Sequence, residues 1–176
     1  MNTKVLPESV LNKIKSNRTV YQIARGARSS VGSLLGGRNI PGVPGKVHYN
    51  DFMLDSTDPK DVVHYLGAAR ATVAQLEESL GAAGKTWQDV QSMLEFGSGY
   101  GRITRLLVQK IEPSKLTVCD VIDESSRFCA EEFKVRRVPS TPDIQAFRAE
   151  PSDLVFFLSV QTHLSLKRLE QLQVKL

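Results

Sequence analysis

The run Met93-Leu94-Glu95-Phe96-Gly97-Ser98-Gly99-Tyr100-Gly101-Arg102-Ile103 constrains this chain more than any other stretch. A short apolar segment carrying an acid breaks into glycines at every second position, and Ile103, Leu106 and Leu107 then follow at helical spacing. The order predicts a strand ending near Phe96, a tight loop and a helix over about 101–111. The loop is stripped of side chains, as it must be if a ligand is to lie against its backbone.

The same rhythm repeats downstream. Leu116 to Val121 is rich in strand formers, and Asp123 or Glu124 opens a helix carrying Phe128, Cys129 and Phe133. Val135 to Val138 is a short strand cut off by Pro139. Asp153 to Val160 is almost wholly apolar, as in a strand covered on both faces, and Ser165 caps a last helix with Leu166, Leu169 and Leu172. Strands alternating with helices give an α/β class and a parallel sheet with right-handed crossovers. Upstream, Asp58 as N-cap and Pro59 at N1 open the best-signalled helix. Its stripe of Val62, Leu66, Ala69, Val73, Leu76 and Leu80 is core packing, and Gly81 and Gly84 supply the stop.

Charge separates the N-terminal arm from this series. Residues 1–48 hold eight basic side chains against one acid, Glu8, so the remainder of a chain of net charge +4 is mildly acidic. That argues against a nucleic-acid-binding core but not against an arm that touches an anionic surface, and no apolar run reaches the roughly 18 residues of a membrane span. Val10, Ile14, Tyr21 and Ala24 place a basic amphipathic helix in the arm. It reads as a packing helix, with a membrane-surface anchor or a transit peptide as sharper alternatives. Six glycines and two prolines over 26–46 then form a linker, so the organisation expected is an arm and linker over 1–46 and an α/β domain over 47–176. Cys119 and Cys129 fit buried thiols of a reduced, cytoplasmic protein better than a disulfide or a metal site.

Three ligands compete for the glycine loop. A P-loop requires a Lys-Ser/Thr pair after the glycines, and there is none. A dinucleotide fingerprint requires a small residue where Arg102 stands. The spacing present, acid-x-Gly-x-Gly-x-Gly at Glu95, Gly97, Gly99 and Gly101, resembles the first motif of class I S-adenosylmethionine-dependent methyltransferases. Asp120 stands where that family keeps its ribose-binding acid, and Asp153 to Ser165 is similar to the family's fourth strand and following motif. The likeness covers about 48–170.

The resemblance implies a Rossmann-like sheet whose first four strands run in the order 3-2-1-4, and S-adenosylmethionine as cofactor. It implies that the backbone of Gly97, Ser98 and Gly99 meets the methionine part, that Tyr100 and Gly101 belong to the same cofactor site, that Glu95 orients the amino group directly or through water, and that Asp120 holds the ribose. Val121 and Ser140 fall to the adenine, although Pro139-Ser140 departs from the acid that many members carry there. Ser159 and Val160 fall beneath the sulfonium, His163 is the candidate general base, and Tyr49 and Phe52 can close over the cofactor. The partner implied is a small-molecule or saccharide-type methyl acceptor. A non-catalytic module that binds cofactor or a partner protein is the alternative. Because the family sheet has seven strands, the fourth strand is expected to be an edge that a missing C-terminal part or a second chain must cover.

Overall fold

In the computed structural model of the chain, residues 29–54, 56–141, 143–158 and 165–173 are described. Two units are distinguished, 1–36 and 37–176. The described part of the first is helical over 29–35 (α1). The second opens with an antiparallel pair, β1 (Gly37–Arg38) and β2 (Val47–His48). Residues 37–46, linker by composition, thus belong to the α/β unit, with Ile40 buried.

Helix α2 (Pro59–Ala82) starts where its cap signals place it. The Asp58 carboxylate accepts from the Lys60 N–H at 2.8 Å, and Pro59 fills the first turn. Gly81 stays helical, and the stop is made at Gly84, whose φ of +69° reverses the chain. Val62, Leu66, Ala69, Val73 and Leu80 are buried as the stripe requires, and Tyr65 is buried beside them.

Four strands form one parallel sheet: β3 (Met93–Phe96), β4 (Leu116–Cys119), β5 (Arg136–Arg137) and β6 (Leu154–Phe157). Their order, β5-β4-β3-β6, is the expected 3-2-1-4. Asp153 sets the register of β6 on β3. Its carboxylate accepts from the Gln91 and Ser92 N–H groups at 2.9 and 3.0 Å, and its own N–H donates to Ser92 Oγ. Met93 then pairs with Leu154, and Phe96 with Phe157.

Side chains alternate across a strand. On one face of the sheet, Met93, Leu116 and Val118 join Ala69 and Val73 of α2, Leu107 of α3 (Thr104–Leu107) and Cys129 and Phe133 of α4 (Asp123–Phe133). On the other, Leu94, Phe96 and Cys119 pack with Phe147 and with Leu172 of α5 (Leu166–Gln173).

Two expectations are corrected in extent. The helix after the glycine loop is a single turn, Thr104–Leu107, continued by turns to Lys110. The apolar strand near the end is half-buried along all four residues rather than covered on both faces. The reason is its position: among the described residues it pairs with β3 alone. The basic helix expected before residue 29 lies outside the described residues. No described helix is long and apolar enough to cross a membrane.

Candidate functional site

The glycine loop leaves β3 at Gly97 and is pinned to the end of β4. The N–H groups of Gly97 and Ser98 both donate to the Cys119 carbonyl, at 2.8 and 3.1 Å. Gly97, Gly99 and Gly101 all have positive φ, at +79°, +52° and +82°, where side chains with a Cβ are strained. Their surroundings differ. A Cβ on Gly99 would meet nothing within 4 Å, so this glycine leaves open space. A Cβ on Gly101 would stand 2.6 Å from the Phe133 ring and 3.0 Å from Cys129 Sγ. The third glycine therefore permits helix α4 to close against the loop.

Two acids stand at this end of the sheet, Asp120 half-buried and Glu95 buried. Asp120 follows β4, and its carboxylate accepts the Gly99 N–H at 2.8 Å through one oxygen and the Ile122 N–H at 2.8 Å through the other. Both bonds hold the carboxylate in one orientation, with a lone pair left on each oxygen. Glu95 lies within β3 on the helix-covered face and is 2% exposed. Burial pushes its carboxyl up to about 8, the Thr104 hydroxyl donating at 2.7 Å offsets part of that, and the nearby Asp120 charge adds to it.

These groups border a cavity of about 490 Å³. Its second wall is the segment after β2, where Asp51, Phe52 and Met53 face it. Asp51 is buried, accepts from Tyr65 Oη at 2.8 Å and from the Met53 N–H at 3.0 Å, and has its pKa raised chiefly by burial. Glu124 of α4 ties this wall to the glycine loop by accepting from both Tyr100 Oη at 2.7 Å and Asn50 Nδ2 at 3.0 Å. His48 stacks on the Tyr100 ring with centroids 4.6 Å apart, and its Nδ1 accepts the Asn50 N–H. Burial lowers the His48 pKa against the pull of Glu124 and Asp51, consistent with that accepting nitrogen. The buried Arg105 donates to the Pro44 and Lys46 carbonyls at 2.7 and 3.2 Å, so the β1–β2 connection is anchored from α3.

Of the residues singled out in the sequence, Glu95, Gly97, Ser98, Gly99, Tyr100, Asp120 and Val121 line the cavity. Gly101 and Ser140 do not. Gly101 packs on α4, and Ser140 lies beyond β5 with its buried hydroxyl unpartnered. Ser159, Val160 and His163 lie outside the described residues. Phe52 lines the cavity while remaining 75% exposed, whereas Tyr49 lies under the Arg38 guanidinium. Cys119 and Cys129 are free buried thiols, the former pushed up to about 12 by burial, and neither is poised as a nucleophile. Among the described residues no group of His, Cys, Asp or Glu is arranged to hold a metal ion. Asp51, Tyr65 and Glu124 were missed by the sequence reading. The only local signal was that acid and aromatics cluster at 48–53 without the period of a helix or strand.

Compared with family models and with curated proteins, the chain matches none. Solved structures do match. One is the plantazolicin methyltransferase BpumL in complex with SAH, 17% identical over 68% of this chain and 50% of that one, with a TM-score of 0.50. Others are magnesium protoporphyrin IX methyltransferase from Synechocystis PCC 6803 (15% identity, 99% and 74% covered, TM-score 0.44) and the methyltransferase domain of a bacterial Hen1 (19%, 63% and 60%, 0.44). The fold is that of the class I S-adenosylmethionine-dependent methyltransferases. The chain spans half the length of BpumL.

Proposed function

We propose that the cavity binds S-adenosylmethionine and that the chain belongs to a methyltransferase acting on a small-molecule or saccharide-type acceptor. The observation that carries this reading is Asp120. A carboxylate held by one backbone N–H of the glycine loop and one of its own turn stands at the cavity edge, where two adjacent hydroxyls could donate to it. The residues fit the group in other respects. The volume, about 490 Å³, falls within the roughly 300–1,000 Å³ of small-molecule sites. Val121 and Ile122 offer an exposed apolar strip next to Asp120 for a flat base, and Glu95 offers a carboxyl for an amino group.

When bound, the cofactor supplies a methyl group on a sulfonium, a good leaving group. The protein's work is then to hold the acceptor in line and to keep water out. Phe52 and Met53 form the apolar wall suited to the second task. A base is needed where the acceptor is a hydroxyl or a protonated amine. The sequence offers His163 for that role, and the cavity offers Asp51, whose raised pKa brings it nearer neutrality than an ordinary carboxylate.

The half-buried β6 edge favours one further reading, a methyltransferase-like module that binds cofactor or a partner chain without turnover. Incubating the protein with methyl-labelled S-adenosylmethionine and a panel of small hydroxyl and amine acceptors separates the two. Label transfer that is lost in Asp120→Ala supports the enzyme. Cofactor binding with no transfer to any acceptor supports the module.

A further inference from the structure

The cofactor reading takes up Glu95, Asp120, the glycine loop and the strip of Val121 and Ile122. Of the side chains lining the cavity it leaves two charged groups, Asp51 and Arg102. Every other side chain left is apolar, and three of these, Phe52, Met53 and Leu158, are exposed. One residue of α2 clasps the two charges. Tyr65 Oη donates to Asp51 at 2.8 Å, and the Tyr65 carbonyl accepts from Arg102 Nε at 3.0 Å. The charges of Arg105 and Arg102 favour the ionised Asp51 carboxylate, against the larger effect of burial. Each Asp51 oxygen accepts one bond, from Tyr65 Oη or from the Met53 N–H, and keeps a lone pair. A carboxylate and a guanidinium thus border the same space, fixed in place and offsetting one another. A charged guest must meet a like charge on one of them, whereas a neutral hydroxyl can donate to Asp51 and accept from Arg102 at once. The apolar side chains around the pair offer nothing to the many hydroxyls of a sugar and match an apolar body.

We propose that this part of the cavity is the acceptor subsite and takes a neutral hydroxyl carried on an apolar body, as in an alkylphenol, with Asp51 and Arg102 as the specificity-determining pair. The inference rests on the cavity being the S-adenosylmethionine site. It deepens that reading by narrowing the acceptor away from saccharides and from charged molecules. If Asp51 and Arg102 only braced Tyr65, their loss would weaken every acceptor alike, whatever its charge.

The test is a ligand-observed NMR titration of the full chain at neutral pH, saturated with S-adenosylhomocysteine so that Glu95 and Asp120 are engaged. The probes are 4-propylphenol, 4-propylbenzoate, 4-propylbenzylamine and glucose, and a melting temperature is taken for each variant. Wild type should bind 4-propylphenol about tenfold more tightly than either charged probe, and glucose not measurably. Asp51→Asn leaves Arg102 unbalanced and should shift the benzoate-to-phenol affinity ratio about tenfold toward benzoate. Arg102→Gln should shift the preference toward the amine by less, because Arg105 still acts on Asp51. The wild-type ranking decides the matter even where a variant fails to fold. A charged probe or glucose preferred by the wild type, a ranking unmoved in both folded variants, or no probe bound to the S-adenosylhomocysteine complex overturns the proposal while leaving the cofactor reading intact. Wild-type protein that does not bind S-adenosylhomocysteine overturns both.

Discussion

The two walls of the cavity are built by different means. The sheet-end wall, from Glu95 to Gly101 with Asp120, is held by backbone: glycines at positive φ, two N–H groups on the Cys119 carbonyl, and N–H groups on the Asp120 carboxylate. The facing wall, from His48 to Met53, keeps its backbone bonds within its own turns, such as the Asp51 N–H on the His48 carbonyl and the Met53 N–H on the Asp51 carboxylate. It is tied to the rest of the fold by side chains of distant elements. Tyr65 donates to Asp51, Asn50 donates to Glu124, and the Tyr100 ring stacks on His48. A backbone-built wall concentrates its cost at the glycine that a neighbour crowds, here Gly101. A side-chain-built wall spreads its cost over several modest contacts.

That contrast can be broken in several ways. The largest effect is expected at Gly101. Valine there combines a positive-φ strain with a Cβ 2.6 Å from the Phe133 ring, costing about 4 kcal/mol in urea unfolding. Gly99→Ala, with open space around its Cβ, should cost only the backbone strain, about 1 kcal/mol, so equal losses at the two glycines would refute their assigned roles. Next comes Asp120→Ala, which releases two backbone donors and removes the proposed ribose acceptor. S-adenosylhomocysteine affinity should drop about a hundredfold, a loss of about 2.7 kcal/mol.

Glu95 supplies a pH signature. Its folded-state pKa is raised from 4.5 to about 8, so the folded protein holds this proton more tightly than the unfolded chain does. Stability from this group is highest below the unfolded value and falls as pH rises through that window. Between pH 6 and pH 8 the ligand-free protein should lose about 2 kcal/mol on this account, and Glu95→Gln should flatten the curve. A pH profile unchanged by Glu95→Gln would show that the carboxyl is not desolvated as described.

The facing wall predicts smaller numbers. Tyr65→Phe removes the phenolic donor to a buried carboxylate and should cost about 1.5 kcal/mol by chemical denaturation. Phe52→Ala, at a side chain 75% exposed, should change stability by no more than about 0.5 kcal/mol while weakening acceptor or cofactor binding. A large stability loss at Phe52 would mean that this wall is core rather than lid.

The same difference explains what was legible in the sequence. The cap at Asp58 and the glycine loop follow from local rules of backbone conformation and period, which a sequence displays directly, whereas the strand order and the attention given to Asp120 came from the resemblance to the methyltransferase family. Asp51 and Tyr65 were not legible because their pairing spans two elements that meet only in the folded chain. Tyr65 falls beside Leu66 on the apolar side of α2 and reads as ordinary core. Gly101 was legible as part of a motif, but its packing against Phe133 was not. Spacing alone does not separate a glycine that clears a ligand from one that clears Phe133. The single-turn helix α3 was overcalled because its apolar spacing continues into turns that are not α-helical.

The central claim is that this cavity, organised on Asp120 and the glycine loop, holds S-adenosylmethionine. Calorimetric titration of the full chain with S-adenosylmethionine, repeated on Asp120→Ala, tests it most directly. Saturable one-site binding by the wild type, weakened about a hundredfold by Asp120→Ala, is the result predicted. Absence of binding by folded wild-type protein, or binding unmoved by Asp120→Ala, would contradict it.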